Sequence, residues 1–295
     1  MNLEIKNLSK TYDNGVEAMK DVNLSIGKGM FGLLGPNGAG KSTLMRTIAP
    51  LQDADAGTVH FGDIDVAKDP DALRRTLGYL PQEFGVYPSV TAEEVLNHIA
   101  DLKGIAKKKE RKEVVEVLLR KINLYDVRKK KLGTYSGGMK QRFGIGQALL
   151  GDPQLIIADE PTAGLDPIER NRFYNLLSEI GENIVVILST HIVEDVSTLC
   201  NDMAIIGDGE VLLTGSPEAI EDSLNGKLWE LQIEKSEIKS YESEFNVISS
   251  RFHMGKLIIT VVADDSPSEK FTAKVPALED AYFNVLFNQQ QGVAI

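Results

Sequence analysis

A glycine-rich run near the start of the chain has the composition of a phosphate-binding loop. It consists of Gly35, Pro36, Asn37, Gly38, Ala39, Gly40, Lys41, Ser42 and Thr43. The apolar residues 30–34 before it indicate a buried strand, and residues 44–48 after it indicate the first turns of a helix. Glycines let backbone N–H groups turn inward, and a helix start adds unpaired N–H groups. We therefore expect phosphate binding rather than a flexible turn, with Lys41 on the β- and γ-phosphates and the Ser42 hydroxyl on Mg²⁺.

An acidic pair and a histidine each follow a buried apolar run. Asp159 and Glu160 come directly after residues 155–158, and His191 comes shortly after residues 184–188. Ligands of open α/β sheets bind at such strand ends, so Asp159 is placed to hold Mg²⁺ and Glu160 to polarise an attacking water. His191 would donate a hydrogen bond to the γ-phosphate. Alone, the acidic pair is commonly structural and the histidine a core or surface residue; beside a phosphate loop they predict a nucleotide site.

A second helix start with the residues of an anion site precedes the acidic pair. Ser136, Gly137 and Gly138 stand at the beginning of the predicted helix 138–150. Their backbone N–H groups and the positive end of the helix dipole favour an anion. One γ-phosphate does not require two such sites within one chain. A second chain that supplies this loop in trans would explain it.

Two further polar residues stand beside predicted strands. Tyr12 precedes the strand 16–26 and could stack on a nucleotide base, although its spacing alone favours a surface or packing role. Gln82 ends the strand predicted over residues 77–82. Neither residue identifies a site without the motifs described above.

The predicted elements would bring these motifs to one edge of a sheet. Continuous apolar runs at 155–158 and 184–188 are typical of strands covered on both faces, and helical segments at 138–150 and 168–180 alternate with them. This alternation favours an α/β fold with a mostly parallel sheet.

Other parts of the chain differ from this pattern. Residues 3–8 predict an edge strand beside the strand 16–26, and residues 57–66 predict a hairpin that extends the same sheet. Helical spacing dominates residues 91–132. The texture changes again near residue 220, and residues 221–295 predict a small α+β accessory domain after the main domain 1–220.

Bulk composition limits the classes of protein to which the chain belongs. Its 295 residues are 42% hydrophobic and 25% charged, which is typical of a globular protein with a sizeable core. The net charge of −11 argues against a nucleic-acid partner. Cys200 is the single cysteine, so no intrachain disulfide forms. We expect no signal peptide, and the apolar runs are too short to span a membrane, so any membrane role requires a partner.

Two basic runs flank the second predicted helix of the helical segment. Residues 107–112 and 128–131 are rich in lysine and arginine. They could meet lipid headgroups or an acidic partner loop. Such runs are more often solvated faces or turns, and we favour that interpretation.

The order of these motifs resembles the ATPase subunit of ABC transporters over about residues 1–220. The resemblance implies a P-loop NTPase fold with a RecA-like core, an antiparallel β subdomain and a helical subdomain at about 91–150. It also implies a head-to-tail dimer, of two identical copies or of paired ATPase subunits, that encloses two ATP molecules with Mg²⁺. The second helix start, residues 135–139, corresponds to the signature loop of this family. It departs from the common Leu-Ser-Gly-Gly-Gln, because Tyr135 and Met139 replace the first and last residues.

The resemblance also assigns roles to single residues. Tyr12 becomes the aromatic that stacks on adenine, which reverses the interpretation from spacing. Gln82 senses Mg²⁺ and the attacking water and couples to the membrane partner. Glu160 is the catalytic base, His191 contacts the γ-phosphate, and Asp166 communicates across the dimer.

The branch of the family is indicated by short features. Residues 129–134 lack the acidic loop of fused multidrug exporters, and Leu278, Glu279 and Asp280 with the following aromatics resemble the ending of ATPase subunits of ABC-2-type exporters. A helix that merely packs its own domain would look the same. The resemblance implies a peripheral subunit on the cytoplasmic face, beside a separate polytopic permease. The alternatives are a soluble ABC ATPase of repair, translation or assembly, and a regulatory module that binds ATP without turnover.

Overall fold

The computed structural model describes residues 1–82, 85 and 87–292. The strands are β1 (Leu3–Thr11), β2 (Glu17–Ile26), β3 (Gly29–Leu34), β4 (Ala56–Phe61), β5 (Ile64–Asp65), β6 (Leu77–Leu80), β7 (Leu155–Asp159), β8 (Val185–Thr190), β9 (Asp202–Gly207), β10 (Glu210–Gly215), β11 (Leu228–Ile233), β12 (Val247–His253), β13 (Lys256–Val262) and β14 (Thr272–Ala273). The α-helices are α1 (Lys41–Ile48), α2 (Pro70–Thr76), α3 (Ala92–Leu102), α4 (Lys108–Lys121), α5 (Gly137–Leu149), α6 (Pro167–Gly181), α7 (Val193–Leu199), α8 (Pro217–Asp222), α9 (Ile238–Glu244) and α10 (Leu278–Gln291).

A six-stranded sheet in the order β10-β9-β3-β8-β7-β6 forms the centre of the fold. Its pairs are parallel except for β10, which runs antiparallel to β9 at one edge. In register, Leu34 of β3 lies opposite Thr190 of β8, and Asp159 of β7 lies opposite Ser189 of β8. The segments that follow β3, β7 and β8 therefore meet at the carboxyl-terminal ends of these strands. The predicted α/β fold with a mostly parallel sheet is confirmed.

A four-stranded antiparallel sheet in the order β2-β1-β4-β5 lies beside it. The predicted pairing of the first two strands and the predicted hairpin are confirmed. The prediction that β1 is an edge strand is wrong, because β1 pairs with β2 on one side and with β4 on the other. Alternation of Leu3, Ile5 and Leu8 with polar residues indicates one buried face of the sheet, but it carries no information about how many neighbours a strand has.

Helices α3, α4 and α5 lie within residues 91–150, and together they are called the helical segment below. Thr91 accepts a hydrogen bond from Glu94 N and donates its own backbone N–H to the Glu94 carboxylate, so a capping box begins α3. The buried side chains of Leu96, Leu119 and Phe143 join the large hydrophobic core that reaches the central sheet. The helical segment is thus packed onto the sheet through apolar contacts.

Residues after α8 form a third sheet and a final helix. The sheet has the order β12-β13-β11-β14 and a small core of its own around Ile259 and Phe271. Helix α10 instead buries Leu278, Tyr282 and Val285 in the large core, against α7, α8 and β9. The division into domains at residue 220 stays a prediction. Among the described residues, the helices lack the length and hydropathy that crossing a membrane requires.

Candidate nucleotide site

The glycine loop connects β3 to α1 and depends on glycine at two close approaches of the backbone. Gly40 has φ +102°, and a Cβ atom there would lie 2.3 Å from Ala18 O. A Cβ atom at Gly35 would lie 2.3 Å from Ile206 O. Gly209 N donates to Ala39 O at 3.1 Å and holds the loop from the β9–β10 turn. The loop is therefore fixed by neighbouring backbone in the shape that its glycines allow.

Lys41 is held inside this loop. Its side chain is almost fully buried, and Nζ donates hydrogen bonds to Gly35 O at 2.6 Å and to Pro36 O at 3.0 Å. Burial lowers the pKa of Lys41, and the nearby carboxylates of Glu160 and Asp159 oppose that shift. The loop thus surrounds the Lys41 ammonium group, and both of these hydrogen bonds go to neutral backbone carbonyls.

Asp159 ends β7 with a carboxylate that has spare bonding capacity. The residue is 4% exposed, and its Oδ1 atom has no hydrogen-bond partner among the described residues. Ser42 stands in the first turn of α1. The described residues contain no group of three or more histidine, cysteine or acidic side chains that would hold a metal. An orphan carboxylate oxygen and a hydroxyl fit Mg²⁺, which commonly takes few protein ligands and completes its shell with phosphate and water oxygens.

Glu160, His191 and Gln82 form a hydrogen-bonded group beside Asp159. His191 Nδ1 lies 2.9 Å from Glu160 Oε1, and Gln82 Nε2 donates to Glu160 Oε2 at 3.1 Å. An ionised carboxylate only accepts, so a hydrogen bond in this pair requires a proton on His191 Nδ1. Glu160 has φ +46°, and its N–H donates to Ser189 O at 2.9 Å. Two side chains from distant parts of the chain, those of Gln82 and His191, therefore contact the Glu160 carboxylate.

Tyr12 borders the same cleft. The cleft has a volume of about 390 Å³, and its lining consists of Tyr12, Val16, Ala18, Asn37, Gly38, Ala39, Gly40, Lys41, Ser42, Thr43, Gln82 and Glu160. The Tyr12 hydroxyl lies 3.1 Å from Thr43 Oγ1 and donates to Gln52 Oε1 at 3.2 Å. Gln52 Nε2 in turn donates to Thr43 O at 2.9 Å. The sequence pattern gave no signal for Gln52.

The second anion-site loop lies elsewhere. Ser136 caps α5 by accepting from Met139 N at 3.2 Å, and the buried Tyr135 donates its hydroxyl to Val127 O at 3.0 Å. Gly137 lines a different cleft of about 450 Å³ together with Gln82. Asp166 caps α6 by accepting from Glu169 N at 2.9 Å.

The described lining of the phosphate cleft therefore contains neither the second anion-site loop nor Asp166. By contrast, seven residues of the glycine loop line it, from Asn37 to Thr43. Gly35 and Pro36 accept hydrogen bonds from Lys41, and His191 contacts Glu160, so these three residues adjoin residues that line the phosphate cleft. The predicted site is thus divided over two clefts of one chain, and Gln82 lines both of them.

Comparison with known proteins identifies the family. The family described as "ABC transporter" matches residues 19–163. The linearmycin resistance ATP-binding protein LnrL of Bacillus subtilis (strain 168) is 37% identical over 226 residues, which cover 76% of this chain and 72% of LnrL. The chain belongs to the ABC transporter ATP-binding proteins. The family predicted from the order of the motifs is therefore confirmed.

Two other members of the ABC transporter family extend the comparison. The daunorubicin/doxorubicin resistance ATP-binding protein DrrA of Streptomyces peucetius is 32% identical over 90% of this chain and 78% of its own length. The ATP-binding cassette MJ0796, solved as a dimer in a post-hydrolysis state with ADP and Pi, has a TM-score of 0.67, 29% identity and coverage of 72% of this chain and 98% of its own. The chain is thus an ABC ATPase of the P-loop NTPase fold, which binds and hydrolyses ATP.

Proposed function

We propose that this ABC ATPase powers an ABC-2-type exporter by closing and reopening a dimer around Mg²⁺ and ATP. The observation that carries the proposal is the division of the site. Lys41, Ser42 and Glu160 line one cleft, and Asp159 directly precedes Glu160 in the chain, whereas the second anion-site loop at Ser136 lies outside the described lining of that cleft. A second copy, or a paired ATPase subunit, would supply that loop.

Within one copy, the proposed roles follow from charge and geometry. Lys41 would neutralise charge on the β- and γ-phosphates, and Tyr12 would stack on the base. Glu160 would take a proton from the attacking water, and His191 would hold the γ-phosphate. Ser42, Asp159 and Gln82 would hold Mg²⁺, which when bound neutralises phosphate charge. Most of the catalysis would come from positioning and electrostatics.

Across the dimer, the proposed contacts come from Ser136, Gly137, Gly138 and Asp166. Ser136 and Gly137 are exposed, as a surface that closes onto a second copy requires. Backbone N–H groups at the start of α5 favour the anionic γ-phosphate of the opposite site. Tyr135 and Met139 change the edges of the signature loop and leave its serine and glycines in place.

The proposed membrane partner is a separate polytopic permease that docks near Gln82 and residues 91–132. The ATPase would then be peripheral on the cytoplasmic face. Two relatives are named for resistance to linearmycin and to daunorubicin or doxorubicin, which supports export of drug-like molecules over the alternative of a soluble repair, translation or assembly factor. The net charge of −11 gives no support to a nucleic-acid partner.

Mixing two inactive variants tests the shared site. Lys41→Ala disables the phosphate loop. Gly137→Asp places a carboxylate toward the opposite phosphate, and it should not disturb its own chain because nothing lies within 4 Å of a Cβ at Gly137. Each variant alone should be inactive. A mixed dimer should regain one intact site, because one copy keeps Lys41 and the other keeps Gly137.

The outcomes of the mixing experiment are distinct. ATP hydrolysis that appears only in the mixture supports a site made by two copies. A fully active Gly137→Asp variant, or a mixture that stays inactive although both variants dimerise, would reject that arrangement. Purification of the parental protein from membranes together with a multi-span protein tests the transporter role separately.

A further inference from the structure

Asp195 is a fully buried carboxylate for which the proposed mechanism has no use. It lies in α7, is 0% exposed and accepts hydrogen bonds from three buried hydroxyls. Thr162 Oγ1 donates to Oδ2 at 2.5 Å, Thr190 Oγ1 donates to Oδ2 at 2.9 Å, and the Tyr174 hydroxyl donates to Oδ1. Arg170 Nε lies 3.7 Å from Oδ1. Burying a charge is costly without such partners, so this group is a specific arrangement.

Two of these hydroxyls belong to the segments that carry the reacting groups. Thr162 stands two residues after Glu160, and Thr190 immediately precedes His191. A single oxygen of Asp195 therefore joins the segment after β7 to the segment after β8. These are the segments whose side chains meet in the Glu160–His191 contact of 2.9 Å.

The backbone at both segments needs such an anchor. Glu160 has φ +46°, and a non-glycine residue in this left-handed region is strained, so it persists only where surrounding contacts determine it. Thr190 Oγ1 also accepts from Ile192 N at 2.9 Å, so the same hydroxyl fixes the turn on which His191 stands. Burial and the contact with Asp195 raise the pKa of Tyr174, which keeps this third partner a donor.

We infer that Asp195 is a positioning residue for ATP hydrolysis, which holds Glu160 and His191 in one geometry by bonding Thr162 and Thr190. The inference rests on the proposed roles of Glu160 and His191. A positioning role predicts a different result from a role in which Asp195 only stabilises α7. Removal of the carboxylate should slow the chemical step and leave ATP binding intact, because Asp195 is absent from the described lining of the nucleotide cleft.

The first experiment compares Asp195→Ala with Val196→Ala. Val196 is also 0% exposed and on α7, where it packs against Gly32 of β3, so its truncation loosens the helix without touching the carboxylate. We expect Asp195→Ala to lower kcat by about 10- to 100-fold, as a small misplacement of reacting groups does, with the Kd for ATP unchanged. Val196→Ala should lower the Tm and keep kcat. Equal kcat values in the two variants would overturn the inference.

The second experiment removes only the hydroxyl that precedes His191. Thr190→Val should reduce kcat, and Thr190→Ser, which keeps the donor, should restore it. This pair keeps the inference testable if Asp195→Ala fails to fold. Equal activity of Thr190→Val and the parent would contradict the proposed connection.

A double-mutant comparison separates this inference from the proposed function. Asp195→Ala is introduced into Glu160→Gln, and single-turnover hydrolysis is measured with enzyme in excess. If Asp195 acts largely through Glu160, Asp195→Ala should lower the rate of hydrolysis much less in the Glu160→Gln variant than in the parent. An equal loss in both backgrounds would reject positioning through Glu160. A Glu160→Gln variant that hydrolyses ATP at the parental rate would instead reject the proposed function.

Discussion

Replacement of Glu160 by glutamine isolates the proton-accepting role from the shape of the site. Glu160 accepts from Gln82 Nε2 at 3.1 Å and contacts His191 Nδ1 at 2.9 Å. A glutamine keeps both hydrogen bonds if the Gln82 amide turns over, because an oxygen then faces His191 and an NH₂ group faces the Gln82 oxygen. We therefore expect a folded variant with the parental arrangement that lacks the base.

The size of the effect follows from what a positioned general base contributes. That contribution is commonly about 10²- to 10⁴-fold, which corresponds to about 3–5 kcal/mol in the activation barrier. ATP affinity should change little, because Lys41 and the glycine loop remain in place. Since hydrolysis reopens the proposed dimer, the variant should accumulate as a closed dimer with ATP.

Three measurements check this prediction. Phosphate release gives the rate, calorimetry gives the Kd for ATP, and size-exclusion chromatography with light scattering gives the dimer. Glu182→Gln, at the exposed end of α6, is the matched control and should behave as the parent. A Glu160→Gln variant that binds ATP normally and hydrolyses it at the parental rate would refute the reasoning.

Three other predictions concern binding and burial. Lys41→Ala should weaken ATP binding by about 10- to 100-fold in calorimetry, because charge-assisted contacts to phosphate are lost. The exposed Lys28→Ala is its control, and an unchanged Kd for Lys41→Ala would count against the site. Tyr12→Ala should weaken ATP binding and Tyr12→Phe should not; equal losses would point to the hydroxyl instead of stacking. Burial, with a smaller effect of Asp195, raises the pKa of Cys200 from 9.0 to about 12. The native thiol should therefore resist alkylation at pH 8 while the unfolded chain reacts, and its contribution to stability should fall as pH rises from about 9 to about 12.

The C-terminal region illustrates the limit of pattern analysis. Leu278, Tyr282 and Val285 recur at helical spacing, which indicates one apolar side of a helix, and all three are buried in the structure. The same spacing could not indicate that α10 packs into the large core beside β9 while the neighbouring sheet has a core of its own. An amphipathic pattern specifies that a face is covered, and it does not specify by which element.

The sequence by itself determined the phosphate loop, the acidic pair, the signature loop and the class of fold. These features depend on residues adjacent in the chain and on the alternation of apolar strands and helices, which local sterics and burial decide. Only the tertiary structure decided that Gln82 and His191 meet on Glu160, that Gln52 supports Tyr12 and that Asp195 joins two strand ends. Those contacts connect residues far apart in the chain, and they require the register of β3, β7 and β8 and the packing of α7, which no local pattern contains.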